Sequence, residues 1–221
     1  MMQLPILFED GEALVIDKPA GLPIDPPRAG GLALENYLEA LKLGFQRVPV
    51  AVHRLDRDTS GCLLLARNPK ALKRFAAAFE AREVEKVYLG IVAGPVAGDD
   101  GTIDLALSKI SSAEQGWRMI PAQKGKPSLT HWRKLAERGN LTLVEFRPET
   151  GRTHQIRIHA LAGLGTALLG DPIYGDGKGA RRTMLHARAL TVQRGEKPPI
   201  AAMSPLPADF AALGFGDVEL G

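Results

Sequence analysis

The stretch HRLDRDTSG, residues 53–61, runs directly into CLLLA, residues 62–66. The apolar run has the length and character of a buried strand, so a histidine, arginines and aspartates are set at the edge of a core element. Asp56, Asp58, Ser60 and Gly61 fall at offsets 1, 3, 5 and 6 of a calcium loop, which makes metal binding one reading. That loop needs a bidentate Glu at offset 12, and Arg67 stands there. From offset 7 the chain is strand-like, not the helix that leaves a calcium loop, so the half of the motif that fixes the ion is missing. A polar turn in which Asp58 and Ser60 bond their own backbone is the blander reading, and it suits those two residues. It suits Asp56 poorly, because Asp56 follows Leu55 and is flanked by Arg54 and Arg57. A carboxylate among arginines stays ionised, as a nucleophile or base must.

Outward from this stretch, ALVID at 13–17 predicts a short buried strand ended by the turn Lys18-Pro19-Ala20-Gly21. LALENYLEAL places Leu34, Tyr37, Leu38 and Leu41 on one helical face. Downstream, Asn68-Pro69 gives a helix its N-cap and first residue. Leu72, Phe75, Ala76 and Phe79 form its apolar stripe, with Lys70, Lys73 and Arg74 outside. EKVYLGIV, 85–92, alternates as a strand does, with Val87, Leu89 and Ile91 on one face. Lys86, Tyr88 and Gly90 take the other, away from that apolar row. Within the Gly-, Lys- and Ser-rich residues 94–127, GTIDLAL is strand-like, and LTLVEF at 141–146 predicts a central strand buried on both faces. After the turn Pro148-Glu149-Thr150-Gly151, THQIRIHALAGLG predicts a helix capped by Thr153. Turn-rich stretches surround GDPIYGD and MLHARALTV, and PLPADFAALGFG predicts a short docking helix. With no repeat or long linker, residues 1–221 are expected to form a single domain.

Several function classes drop out. The 221 residues are 45% hydrophobic and 24% charged, an ordinary globular balance, and the net charge is +3. Such an excess suits a phosphate backbone only if it gathers on one face. The one cysteine, Cys62, excludes an internal disulfide and a cysteine-based zinc site, and its place in CLLLA suits a buried hydrophobe. His154 and His159 are five apart and do not share a helical face as a metal-binding pair would. GLGTALLG has the wrong glycine spacing for a dinucleotide loop, and Asp58-Thr59-Ser60-Gly61 is not a hydrolase elbow. The amino terminus has no basic segment leading an apolar run, and no run reaches membrane-span length, so the expected compartment is the cytoplasm.

Seven stretches together resemble the pseudouridine synthases of the RluA/RsuA superfamily, the RluA type in particular. They are IDKPAGL at 16–22, HRLDRDTSG at 53–61, EKVYLGIV at 85–92, GKPSLTHW at 125–132, ETGRTHQIRIH at 149–159, GDPIYGD at 170–176 and LHARAL at 185–190. They follow the family's order over nearly the whole chain, and HRLDxxTSG with TGRxHQIRxH is a highly specific combination. The resemblance implies an α+β fold: a mixed, largely antiparallel sheet with flanking helices and a central cleft. It implies an isomerase that turns uridine into pseudouridine in a structured RNA, rRNA or tRNA, after flipping the base out, with no cofactor and no metal. Asp56 is then the catalytic carboxylate. Arg54 fills the vacated place in the RNA, Tyr88 stacks on the uracil, Arg157 pairs with the carboxylate and Leu185 walls the pocket. Arg152 is assigned to phosphate or architecture. With IDKPAGL starting at residue 16, no N-terminal S4 domain is expected; nor is an obligate protein partner, and the chain is expected to be a monomer. Thr166 and Ala167 replace the family's usual His-Pro, Gln193-Arg194 stands where another His-Pro is common, and Trp132 replaces a common Tyr. These departures bear on substrate identity, not on the reaction. The alternative is a catalytically silent RNA-binding or ribosome-assembly protein on the same fold; intact Asp56, Tyr88 and Arg157 count against it.

Overall fold

The computed structural model describes residues 3–27, 29–112 and 116–219. Its contacts divide the chain into two compact units. The first comprises residues 1–86 and 187–205, the second residues 87–186 and 206–221. The strands, in chain order, are β1 (Ile6–Glu9), β2 (Ala13–Lys18), β3 (Val50–Ala51), β4 (Ser60–Ala66), β5 (Val84–Val92) and β6 (Asp100–Asp104). Then come β7 (Leu107–Ser112), β8 (Gly116–Pro121), β9 (Leu129–Arg138), β10 (Leu141–Pro148), β11 (Leu185–Arg194) and β12 (Lys197–Met203). Helices are few: α1 (Pro69–Glu80), α2 (Gln155–Leu164) and the short α3 (Ala208–Phe210), which runs on into a last turn, Ala211–Phe215. The class is α+β with a large, mostly antiparallel sheet, as the family resemblance implies.

In the first unit the strand order is β1-β2-β4-β11, with β3 on β4 and β12 on β11. All seven residues of β4 are buried, as its apolar run requires. Its Cys62, Leu64 and Ala66 pack with Ala13 and Val15 of β2, with Ala71 and Phe75 of α1, and with Leu190, Val192, Ile200 and Ala202 of the β11–β12 hairpin. Helix α1 begins as predicted: the Asn68 side chain accepts from the Ala71 N–H, and Pro69 opens the first turn. Its buried face is shifted, though, since Ala71 is inside and Ala76 is exposed. Residues 34–42 are not the helix predicted from LALENYLEAL. They form two short 3-10 turns, Leu34–Tyr37 and Ala40–Lys42, closed by Leu43 in the left-handed region. Leu34, Tyr37 and Leu41 are still buried. A segment this short gains too few hydrogen bonds to repay helix nucleation, so packing sets its backbone. MLHARALTV, around which turn-rich stretches are expected, contributes most of β11, and β12 follows it. Among the described residues β12 pairs with β11 alone, an edge position at which Pro198 and Pro199 are tolerated.

In the second unit the order is β5-β10-β9-β6. Strand β10 is central and buried on both faces, as LTLVEF predicts. Leu89, Ile91 and Leu143 face a cluster with Phe210 and Phe215, so the carboxy-terminal segment does dock. The other face is equally apolar: Val92, Val144, Phe146, Ile156, Ala160, Leu168 and Leu185 cluster there, and Tyr88 packs against them. The alternation read along EKVYLGIV is correct. Tyr88 lies, as read, on the face opposite Leu89 and Ile91, and that face also carries core. A two-stranded sheet, β7–β8, stands apart from the main order.

Gly61, at the mouth of β4, has φ +107°, and a Cβ there would overlap the backbone of Ala187 in β11. Gly61→Ala should therefore cost about 3 kcal/mol or more from strain and overpacking together. Gly11→Ala, at a position with open space, should be close to neutral. Urea titrations of the two variants beside the parent check this; equal midpoints would refute it.

Candidate functional site

The HRLD loop is built within the first unit. Leu55 is buried and anchors it, while Arg54 is exposed, with Asp25 3.5 Å away. Asp56 is half-buried between them and Arg57. Its carbonyl accepts from the Thr59 N–H at 3.1 Å, closing the turn that leads into β4. The loop is pinned one residue later. Lys18, fully buried at the end of β2, donates through Nζ to the carbonyls of Pro19, Leu22 and Arg57 at 2.9, 2.9 and 3.0 Å. The Gly21 N–H donates to the same Arg57 carbonyl at 2.9 Å, and Arg57 Nε returns a bond to Gly21 O. A buried ammonium must satisfy its donors, and three carbonyls in two loops do so. IDKPAGL is thus the brace of HRLDRDTSG, a role that its reading as a turn missed.

His53 opens the motif and is structural. The Leu64 N–H donates to its Nε2 at 3.0 Å, and its ring stacks on Phe79 at 4.7 Å. Desolvation, helped by the charge of Lys86 and opposed by a hydrogen bond to the Arg54 backbone, pushes its pKa from 6.5 down to about 3. The ring is neutral, as accepting an N–H requires. Cys62 is buried, with its thiol pushed up to about 12 by desolvation, so it is no nucleophile.

In the second unit, ETGRTHQIRIH builds the start of α2. The cap is His154, in the left-handed region at φ 54°, not the predicted Thr153. The first six residues of the helix are all buried, so its polar side chains need partners on several sides. Gln155 accepts from Thr150 Oγ1 and from the Arg152 N–H, and donates to Leu129 O and Thr130. His159 bonds Ser128 and Thr130. His154 Nδ1 meets the Tyr174 hydroxyl at 2.9 Å, and that hydroxyl also accepts from the Met119 N–H. Both histidines are thus engaged in hydrogen bonds within the protein. Among the described residues, no group of three or more His, Cys, Asp or Glu is placed to hold a metal ion.

Arg157 points to a partner that no sequence argument named. Its Nε and Nη2 each meet a carboxylate oxygen of Asp171 at 2.7 Å, a bidentate fork in which the arginine side chain is 8% exposed and the aspartate 0%. The Asp171 Oδ1 also accepts from the N–H groups of Ile173 and Tyr174, and the Arg157 guanidinium lies 5.1 Å from the Tyr174 ring centre. Burial alone would raise the Asp171 pKa. The Arg157 bonds and charge, with the two N–H groups, overcome it and hold the carboxyl below its usual 3.8. Asp171 and Tyr174 both come from GDPIYGD, a stretch the sequence singled out without giving either a role.

Of the five expected site residues, Arg54 and Asp56 thus lie in the first unit, and Tyr88, Arg157 and Leu185 in the second. The structure brings Tyr88 and Leu185 into one apolar cluster, with Ile156 beside Arg157.

The family model for RNA pseudouridylate synthase matches residues 12–162. An uncharacterised RNA pseudouridine synthase of Zymomonas mobilis subsp. mobilis is 55% identical over 95% of this chain and 97% of its own length. The ribosomal large subunit pseudouridine synthase D of the same organism is 36% identical, covering 98% of this chain and 71% of that protein. Among solved structures, human RNA pseudouridylate synthase domain containing 4 matches with a TM-score of 0.79 and 25% identity, over 97% of this chain and 94% of that one. Fold and relatives define the class, an isomerase that acts on RNA. The chain belongs to the RluA-type RNA pseudouridine synthases.

Two outcomes test the geometry. Arg157→Ala should cost about 3–5 kcal/mol, because it orphans a buried carboxylate, and Arg157→Ala/Asp171→Ala should recover part of that. Because the folded Asp171 pKa is depressed, its contribution is complete above pH 3.8 and disappears only as pH falls through the lower folded value. Urea unfolding at pH 7 reads the cycle, and strict additivity would mean the pair carries no coupling. For His53 the window is higher. Its folded pKa is depressed too, so stability is full above 6.5 and falls as pH drops toward about 3. The slope is at most about 1.4 kcal/mol per pH unit. His53→Gln should flatten the melting temperature between pH 6.5 and 4.5; an unchanged slope would assign the acid sensitivity elsewhere.

Proposed function

We propose that this enzyme converts uridine to pseudouridine in ribosomal RNA, with Asp56 as the catalytic carboxylate acting on a base flipped out of its stack. The braced HRLD loop carries the reading. It presents a half-buried carboxylate at a fixed point beside an exposed arginine, with Lys18 and Gly21 gripping the next residue's carbonyl. The name of the relative that acts on the large ribosomal subunit supports rRNA over tRNA. An rRNA substrate puts the enzyme in the cytoplasm. Among the described residues, no helix is long and apolar enough to cross a membrane.

The reaction breaks the N1–C1′ bond, turns the uracil and joins C5 to C1′; C5 releases its proton to water and N1 takes one up. It is redox-neutral and needs no cofactor. Asp56 must be ionised whether it attacks C1′ or removes a proton from C2′. Extruding the nucleotide costs a few kcal/mol. Arg54, planar, cationic and exposed, replaces the lost stacking and meets phosphate. Tyr88 offers its ring to the uracil, and Leu185 in the same cluster walls the base. Arg157 serves the catalytic carboxylate, and Asp171 fixes the guanidinium plane from which it does so.

Tritium release from C5-labelled rRNA tests this. Asp56→Asn should fall to background while keeping its melting temperature and RNA affinity, and Asp58→Asn should retain most activity. Turnover by purified Asp56→Asn above a mock preparation would overturn the catalytic assignment. RNA binding without tritium release by the parent protein would point to a silent binder. Mapping pseudouridines in RNA from cells lacking the gene identifies the modified position.

A further inference from the structure

The β7–β8 hairpin shows an arrangement that the reaction described above does not use. Trp117 is 43% exposed, yet it is not loose on the surface. Its ring stacks on His154 at 4.8 Å and 29°, and His154 is the cap of the helix that carries Arg157. His154 in turn meets the Tyr174 ring edge-on at 5.6 Å, and Tyr174 lies under the Arg157 guanidinium. The hairpin is tied into this stack: the Met119 N–H donates to the Tyr174 hydroxyl at 2.9 Å. Leu107 and Met119 also pack against Ile158 of α2 and Tyr174. Lys109 holds its Nζ 4.9 Å from the Trp117 ring centre.

The segment that carries this indole is basic on balance: residues 105–130 hold four cations, Lys109, Arg118, Lys124 and Lys126, against one acid, Glu114. Lys109, Lys124 and Lys126 are exposed. A held indole in a segment with an excess of lysines, one of them over its ring, fits a polyanion whose units carry flat rings, which is the chemistry of unpaired nucleotides. An acidic protein partner would use the lysines but has no need of the ring.

We propose that Trp117 is a stacking platform for an unpaired base of the RNA substrate, flanking the flipped uridine, with Lys109, Lys124 and Lys126 taking the adjoining phosphates. Lys109 covers the ring in the free protein. Its flexible stem lets the ammonium swing to a phosphate when a base takes its place. The proposal rests on the RNA-modifying function above and adds an anchoring point outside the reacting nucleotide.

The test uses full-length protein labelled with 5-fluorotryptophan, in which Trp117 and Trp132 give separate fluorine signals and Trp117→Phe assigns them. The probe is a hairpin RNA with a uridine-containing single-stranded loop. The Trp117 signal should shift on titration while a fully paired duplex of the same stem leaves it in place. Trp117→Ala should weaken loop binding about 5- to 100-fold, and Trp117→Phe less. Lys109→Ala and Lys124→Ala should each reduce the slope of log affinity against log salt by about one. A Trp117 signal that stays still under saturating RNA, a Trp117→Ala protein that binds as the parent does, or no binding at low salt would overturn the proposal. The two readings fail separately. A shifted Trp117 signal with no tritium release by the parent keeps the platform and removes the isomerase assignment; normal turnover with a silent Trp117 does the reverse.

Discussion

The second unit depends on an ion pair that is hard to justify by stability alone. Withdrawing Arg157 and Asp171 from water costs several kcal/mol per ion, and well-packed apolar side chains of similar volume would often be at least as stable. What the pair supplies is direction. A guanidinium gripped on two nitrogens by a carboxylate, itself held by two backbone N–H groups, has one plane and one position. Helix α2 is organised to permit this: its buried first turns are satisfied side chain by side chain through Gln155, His159 and Thr150, so the arginine is not asked to fill its neighbours' needs.

The first unit solves the matching problem with the opposite charge. Lys18 is as deeply buried as Asp171, and three backbone carbonyls accept from its ammonium. Three carbonyls drawn from the 18–22 turn and from Arg57 tie two loops together around it. The loop that presents Asp56 is rigid for a reason lying 38 residues upstream in the chain.

That contrast explains what could be read from the sequence. The strands at 13–18, 60–66 and 141–148 and the start of α1 were legible because local apolar pattern and capping residues determine them. The 34–42 segment was not, because packing and not periodicity sets its backbone. Thr153 was the better cap by residue preference. His154 takes the place in a left-handed conformation because Tyr174 and Trp117 hold its ring, and both are distant in sequence. Asp171 and Lys18 lay inside quoted motifs yet received no role. A motif shows that a residue matters to the fold or the chemistry; only three-dimensional placement shows whom it touches.

The same reasoning sorts the motif residues by the kind of work they do. In HRLD, the histidine is neutral and packed, the leucine is an anchor, and the arginine and aspartate face outward or half outward. In THQIRIH, the glutamine and second histidine bond the sheet, the first histidine bonds Tyr174, and the arginine alone carries a full charge into the buried turn. Each motif therefore surrounds its charged groups with neutral residues whose hydrogen bonds are satisfied locally. Arg157 is fixed by Asp171, and the loop that carries Asp56 is fixed by Lys18, so each motif's charged group is positioned by a residue from a different motif.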